Sequence, residues 1–279
     1  MKIGFVDYYI SEWHANNYPR WITQMCEAHG YDATVAYAWA EMDVSPVDGV
    51  NTDTWCTENG ALRCQTIDEL CEKSDAIVIL APSDPNKHVE YAKAVFKYGK
   101  PTYIDKTFAE NSSAAKEILD AAEENGVKFF STSALRYADE LEAAKGAKRF
   151  CTTGGGSNIE EYIIHQVEMV VKTMGVGFDS VVYTKDGDND SFELTMKDSR
   201  TAKITYGEGL RFAYEATLEN GESVSAVARS SYFKTLMAKI LEFFTTGKLP
   251  FDTNETVEAM RVRDAILASM KNENEKIEF

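Results

Sequence analysis

Four residues of this 279-residue chain carry side chains that would do chemistry if the fold brought them to a crevice: Lys106, Glu161, His165 and Glu168. Lys106 stands in Asp105-Lys106-Thr107, directly after the apolar run Thr102-Tyr103-Ile104. A cation just past a buried strand projects into the crevice of an open sheet, where it holds a hydroxyl or carbonyl oxygen and counters developing negative charge. The other three stand at i, i+4 and i+7 of the stretch Ile159 to Met174, which Ile163, Ile164, Val167, Met169, Val170 and Val171 make apolar nearly all round. On a helix that spacing draws one polar stripe, and ionisable groups on an apolar helix need partners or a wet cavity. Imidazole titrates near neutrality and a neighbouring carboxylate orients it, so the stripe reads as a place for acid–base work. A solvated lysine and a histidine satisfied inside the core are the plainer alternatives.

Such residues need a scaffold, and the first half of the chain supplies the pattern of one. Short apolar runs (Ile3 to Val6, Ala33 to Tyr37, Asp75 to Leu80, Thr102 to Ile104, Val127 to Phe130) alternate with helical stretches (Pro19 to His29, Ile67 to Glu72, His88 to Tyr98, Ser113 to Asn125). Repeated β-α-β spacing of this kind predicts a doubly wound parallel sheet. Its ligand-facing residues are those that follow the strands, among them Asp7-Tyr8-Tyr9-Ile10-Ser11 and Pro82-Ser83-Asp84-Pro85. After about Ser131 the rhythm changes to a connecting helix, a Gly154-Gly155-Gly156 turn, the striped helix and a series of alternating segments joined by polar turns. That order predicts an α+β domain with an open, mainly antiparallel sheet, and a division at 1–131 and 132–279. Met42 to Leu62, rich in Asp, Asn, Thr and Gly, reads as a long surface loop.

Composition excludes several classes. Lys and Arg number 29 against 45 Asp and Glu, a formal charge of −16 that repels nucleic acid and anionic lipid surfaces. No segment approaches the ~20 apolar residues of a membrane helix. Five cysteines without a Cys-x-x-Cys pair signal neither a disulfide framework nor zinc, and no metal site is expected; Met1 to Asp7 opens straight into a strand rather than a signal peptide. A cytoplasmic protein is the expectation. The second-domain strand positions Val182, Phe192, Leu194, Ile204, Phe212 and Tyr214 suggest a face that a second copy covers, hence a homo-oligomer.

Asp75 to Ala109, DAIVILAPSDPNKHVEYAKAVFKYGKPTYIDKTFA, resembles the strand–helix–strand of the Gfo/Idh/MocA family of NAD(P)-dependent sugar and polyol oxidoreductases. Ser133-Ala134-Leu135-Arg136-Tyr137 is similar to the family's crossover into its second domain. Gly155-Gly156 through His165 and Glu168 resembles its Gly-Gly…Asp-x-x-x-His-x-x-Asp helix, and Thr246-Gly247-Lys248-Leu249-Pro250 its close. The resemblance implies an N-terminal Rossmann-like domain, NAD or NADP as cofactor, and a sugar, polyol or inositol-like substrate. It implies that His165 takes the proton of a substrate hydroxyl while a hydride leaves the same carbon for the nicotinamide, that Lys106 steadies the oxygen, and that Glu161 orients His165 or substrate. By position, Tyr8, Tyr9, Ile10, Pro82, Ser83 and Asp105 would meet the cofactor, and Arg136, Tyr137 and Glu168 the substrate.

Two departures stand against that pattern. The family's Glu-Lys-Pro has become Asp105-Lys106-Thr107. The Gly-x-Gly-x-x-Gly turn after the first strand is missing altogether, with no glycine between Gly4 and Gly30, and Asp7, Tyr8, Tyr9, Glu12 and Trp13 crowd the place where a pyrophosphate would approach the backbone. The alternatives this leaves are redox-neutral sugar conversion (elimination, isomerisation or glycosidic cleavage) on the same pocket, or a non-catalytic binding protein.

Overall fold

The apolar runs of the first half become the strands of one parallel sheet. In the computed structural model, which describes Met1–Phe279, the order is β1 (Lys2–Asp7), α1 (Trp13–His29), β2 (Thr34–Ala40), α2 (Thr52–Asn59), β3 (Leu62–Arg63), α3 (Ile67–Lys73), β4 (Ala76–Ile79), α4 (Lys87–Phe96), β5 (Thr102–Ile104), α5 (Ser112–Asn125) and β6 (Phe129–Ser131). The sheet runs β3-β2-β1-β4-β5-β6 with every pairing parallel. Chain order reverses between β1 and β4, which puts the ligand crevice of such a sheet at their carboxyl ends. All four residues of β4 are buried, as a parallel strand covered on both faces must be. Gly4 is needed where α3 seats on β1, because a Cβ there would come within 2.5 Å of the Leu70 side chain.

The expected surface loop at Met42 to Leu62 is instead partly helical. Asn51 caps α2 by accepting from the Thr54 amide, Gly60 ends it in the left-handed conformation, and Trp55 is buried with its Nε1 donating to Asn16 Oδ1 at 2.8 Å. Only three of its eight residues face inward, so polar composition concealed an amphipathic turn. Helix α1 likewise begins six residues ahead of Pro19, at Trp13.

The second unit opens with two 3-10 turns (Ala134–Tyr137 and Asp139–Ala144), then β7 (Arg149–Gly154), α6 (Ile159–Met174), β8 (Phe178–Asp186), β9 (Asn189–Met196), β10 (Thr201–Tyr206), β11 (Ala213–Thr217) and β12 (Ser223–Val227). After α7 (Tyr232–Thr246) it closes with α8 (Thr253–Ser269) and β13 (Lys276–Glu278). Its sheet runs β12-β11-β7-β10-β9-β8-β13, antiparallel except for β7 beside β10. The apolar side of α6 (Ile163, Val167, Val170) shares one core with Phe192, Leu194 and Ile204 of the sheet and Val262 and Ile266 of α8. Phe192, Leu194 and Ile204 are fully buried within the chain, which corrects their assignment to a face awaiting a second copy. Strand alternation turns the other side outward, where Glu193, Thr195 and Lys203 are polar.

By compactness the units are Met1–Thr132 with Phe233–Phe251, and Ser133–Tyr232 with Asp252–Phe279. The returning segment belongs to the first because its apolar side packs there: Phe243 and Phe251 meet the Phe130 ring edge-on at 5.3 and 6.0 Å, and Lys128 Nζ donates to the Gly247 carbonyl at 3.1 Å. No helix is long and apolar enough to cross a membrane.

Candidate active site

Lys106 lies at the carboxyl end of β5, only 6% exposed, with Nζ donating to the Pro82 carbonyl at 3.2 Å. The solvated-lysine alternative therefore fails. The peptide that follows it is cis. Its neighbour Asp105 is buried at the centre of a network: Oδ1 accepts from Tyr18 (3.1 Å) and Tyr103 (3.0 Å), and Oδ2 meets Nδ1 of His14. Burial pushes the Asp105 carboxyl up, but His14, Lys106 and the Tyr103 hydroxyl outweigh it and hold the group at about 2. The Tyr18 phenol is driven well upward by burial and by that same charge, so it stays a donor. His88 is fully buried between the carbonyls of Leu80 and Phe108 and ties α4 to the strand ends.

The first turn closes on itself. Glu12 sits at the N-cap of α1, with Oε2 accepting from the His14 amide at 2.7 Å and Oε1 from the Ala15 amide at 2.5 Å. Asp7 ends β1 at 1% exposure; Oδ1 accepts from the amides of Tyr8 (2.7 Å) and Ala81 (3.0 Å), and Oδ2 has no partner. Both acids are raised from their ordinary values, first by burial, with each other's neighbourhood adding to it: Glu12 and Asp105 raise Asp7, and Asp105 raises Glu12. A cavity of about 120 Å³ is lined by Asp7, Tyr8, Tyr9, Glu12, Pro82 and Ser83, so four of the six expected cofactor contacts meet there. Asp105 lies in the adjoining network, and Ile10 is a core side chain at 1% exposure. Glu41, past β2, is held by Lys87 Nζ (2.7 and 2.9 Å) and the Tyr91 hydroxyl (2.7 Å).

In the second unit, the stripe of α6 is real but its members do different jobs. Asn158 caps the helix by accepting from the Glu161 amide (2.8 Å) and donates to Glu161 Oε2 (3.2 Å), so Glu161 takes part in a capping exchange. His165, one turn on, is half-buried, with Nδ1 2.7 Å from Ser133 Oγ and its ring flanked edge-on by Tyr162 and Phe212. Glu168 is buried and accepts from Arg136 Nη1 at 2.7 Å and from the Ser133 amide at 3.4 Å; Arg136 also pairs with Glu255 of α8. Tyr137 is half-buried in the same 3-10 turn as Arg136. The glycine turn ahead of α6 is a close-packed joint, since a Cβ on Gly155 would lie 1.9 Å from the Gly207 carbonyl and one on Gly156 2.0 Å from the Tyr162 ring. Ser133, Glu255, His14 and Tyr18 are site residues that periodicity does not reveal, because their partners lie 32 to 119 residues away in the chain.

Residues 41–133 match the model of the Gfo/Idh/MocA family, described as an oxidoreductase family with an NAD-binding Rossmann fold. No curated protein sequence matches. Among solved structures, the myo-inositol dehydrogenase of Lactobacillus casei in complex with NAD(H) and myo-inositol is similar at TM-score 0.80 and 12% identity, covering 100% of this chain and 96% of that one. The apo scyllo-inositol dehydrogenase of the same organism gives 0.78 at 12%, with 100% and 98% covered. The UDP-N-acetylglucosamine 3-dehydrogenase of Acidithiobacillus ferrooxidans gives 0.76 at 12%, with 96% and 97% covered. At such identities the likeness is one of fold, and it runs from end to end. The sequence match over residues 41–133 thus lies on a fold shared from end to end with these dehydrogenases, and the chain lacks the glycine-rich first turn.

Proposed function

We propose that the protein is an NAD(P)-dependent oxidoreductase acting on a hydroxyl of a sugar, polyol or inositol-like substrate. The observation that carries the reading is Lys106, a buried cation anchored on the Pro82 carbonyl at the carboxyl end of the parallel sheet, within the stretch that matches the family. A fixed ammonium there steadies an oxygen as charge develops on it, at little cost in reorganisation. His165 is the proton acceptor in this reading. Its Nδ1 is held by Ser133 Oγ, which fixes the ring and leaves Nε2 as the nitrogen to exchange a proton with substrate. Arg136 and Glu168 neutralise each other and lock the 3-10 turn carrying Ser133 to α6, so their part is positioning. The solved inositol and sugar-nucleotide dehydrogenases suggest the substrate class.

The usual place for a dinucleotide's pyrophosphate does not fit that group as it stands. The amides at the head of α1 already bind Glu12, Asp7 adds a second acid, and Glu41, past β2, is engaged by Lys87 and Tyr91. Assembly into a homo-oligomer belongs to the same reading, and sedimentation at micromolar concentration tests it. The reading itself is tested by following nicotinamide absorbance with NAD and NADP against a panel of inositols, hexoses and polyols. Turnover that falls at least about 100-fold in both Lys106→Met and His165→Ala supports it. Conversion of a sugar with no dinucleotide present would support the redox-neutral alternative instead.

A further inference from the structure

A pyrophosphate binds at the head of a helix because the first amides lack partners inside the helix and the dipole favours negative charge there. In this chain two of those donors, the amides of His14 and Ala15, are held by the two oxygens of one carboxylate, Glu12. Ser, Thr, Asp and Asn are the usual caps, and each ordinarily satisfies one such donor; a bidentate Glu is a fuller closure of the same site. The closure is deep, at 8% exposure, and it faces a cavity that also holds Asp7, whose Oδ2 is buried and without a partner. A buried polar atom left unsatisfied marks a place where a ligand or water completes the bonding. Asp7 Oδ2 leaves an acceptor open in this cavity, while two helix-head donors beside it are already spent on the chain's own anion.

From this we infer that Glu12 is an internal competitor for the dinucleotide pyrophosphate: it occupies the two amides at the head of α1 that a dinucleotide would use. The inference rests on the dinucleotide reading above and adds to it a specificity-determining residue. Binding is an exchange of one anion for another at the same donors. Glu12 retained beside a diphosphate would add its charge to those of Asp7 and Asp105 around a small buried volume, which like-charge repulsion disfavours. The exchange costs affinity for every ligand that uses the helix head, and it costs nothing for an uncharged ligand that touches only Tyr8, Tyr9, Pro82 or Ser83.

The test is calorimetric titration of the whole protein with NAD, NADH and sodium pyrophosphate, using wild type, Glu12→Ser, Glu12→Gln and Glu90→Gln. Serine keeps a one-oxygen cap and frees the second amide; glutamine keeps the size and removes the charge, so a folded variant is available even where one of them fails to fold. Glu90, an exposed acid on α4, controls for overall charge. The expected result is at least tenfold tighter binding of both dinucleotide and pyrophosphate in the Glu12 variants, with Glu90→Gln unchanged. Equal or weaker binding in both Glu12 variants overturns the inference. If wild type already binds NAD in the micromolar range and the variants match it, the inference falls and the oxidoreductase reading stands. If no variant binds any of the three, Glu12 is not the barrier and both fall. If the variants bind tightly but no sugar or polyol is oxidised, the inference stands and the oxidoreductase reading falls.

Discussion

The strand-end cluster of the first unit and the α6 cluster of the second are both built from buried acids and a histidine, yet they resolve their charges in opposite ways. In the first, the carboxylates are spent on the backbone and on one another's neighbours: Glu12 on two helix amides, Asp7 on two more amides with one oxygen left over, and Asp105 on His14 and two phenols. Burial pushes the acids Asp7 and Glu12 upward. In the second, Glu168 meets a guanidinium that also holds Glu255, and the histidine is left half-exposed beside a serine hydroxyl. A paired charge makes a rigid mount, whereas a self-capped one closes a helix head. The same residue types serve positioning in one unit and backbone capping in the other.

Breaking the mount gives the largest effect. Arg136→Met leaves Glu168 buried without its counter-charge, and a loss of about 3–5 kcal/mol is expected in urea unfolding; the double variant Arg136→Met with Glu168→Met recovers most of it. An undiminished stability of the single variant would show that the pair is not what secures α6. Next comes the pH dependence of the first unit. Asp105 has a folded value of about 2, below its ordinary 3.8, so it contributes stability above pH 4 that is lost as the pH falls toward 2, on the order of 2 kcal/mol. Asp7 and Glu12 are raised, so the opposite sign holds: their share is complete at low pH and declines as the pH rises through their folded values. Asp105→Asn is therefore expected to flatten the acid limb of stability against pH, and Asp7→Asn to raise stability on the alkaline limb; urea titrations across the range read both. The smallest effect is expected from Ser133→Ala, which removes one hydrogen bond to His165, about 1 kcal/mol or roughly fivefold in kcat with the substrate KM little changed.

The alternation of apolar runs and helices made the parallel sheet legible, and the i, i+4, i+7 stripe marked α6 as special, because both are local periodicities. What escaped was set by distant partners. Helix α2 hides in polar sequence because one buried Trp55, a cap at Asn51 and a stop at Gly60 suffice for eight residues. Strand β7 alternates correctly but carries Thr152 inward, with its hydroxyl taken by the Ala213 carbonyl, so hydropathy passed it over. Lys106 was visible as a strand-end cation, but its burial depends on a carbonyl 24 residues away. The glycine-poor first turn announced that a pyrophosphate would be crowded, while the particular reason, a bidentate cap by Glu12, needed coordinates.

The proposed activity is oxidation of a carbohydrate-like hydroxyl by a nicotinamide dinucleotide through Lys106 and His165. Its most direct test is a coupled reading of nicotinamide reduction and sugar product by the purified protein, with NAD and NADP, across inositols, hexoses and polyols, in wild type, Lys106→Met and His165→Ala. The expected result is reduction in proportion to a keto product, abolished in either variant. Sugar product formed without dinucleotide, or dinucleotide reduction untouched by both substitutions, would contradict it.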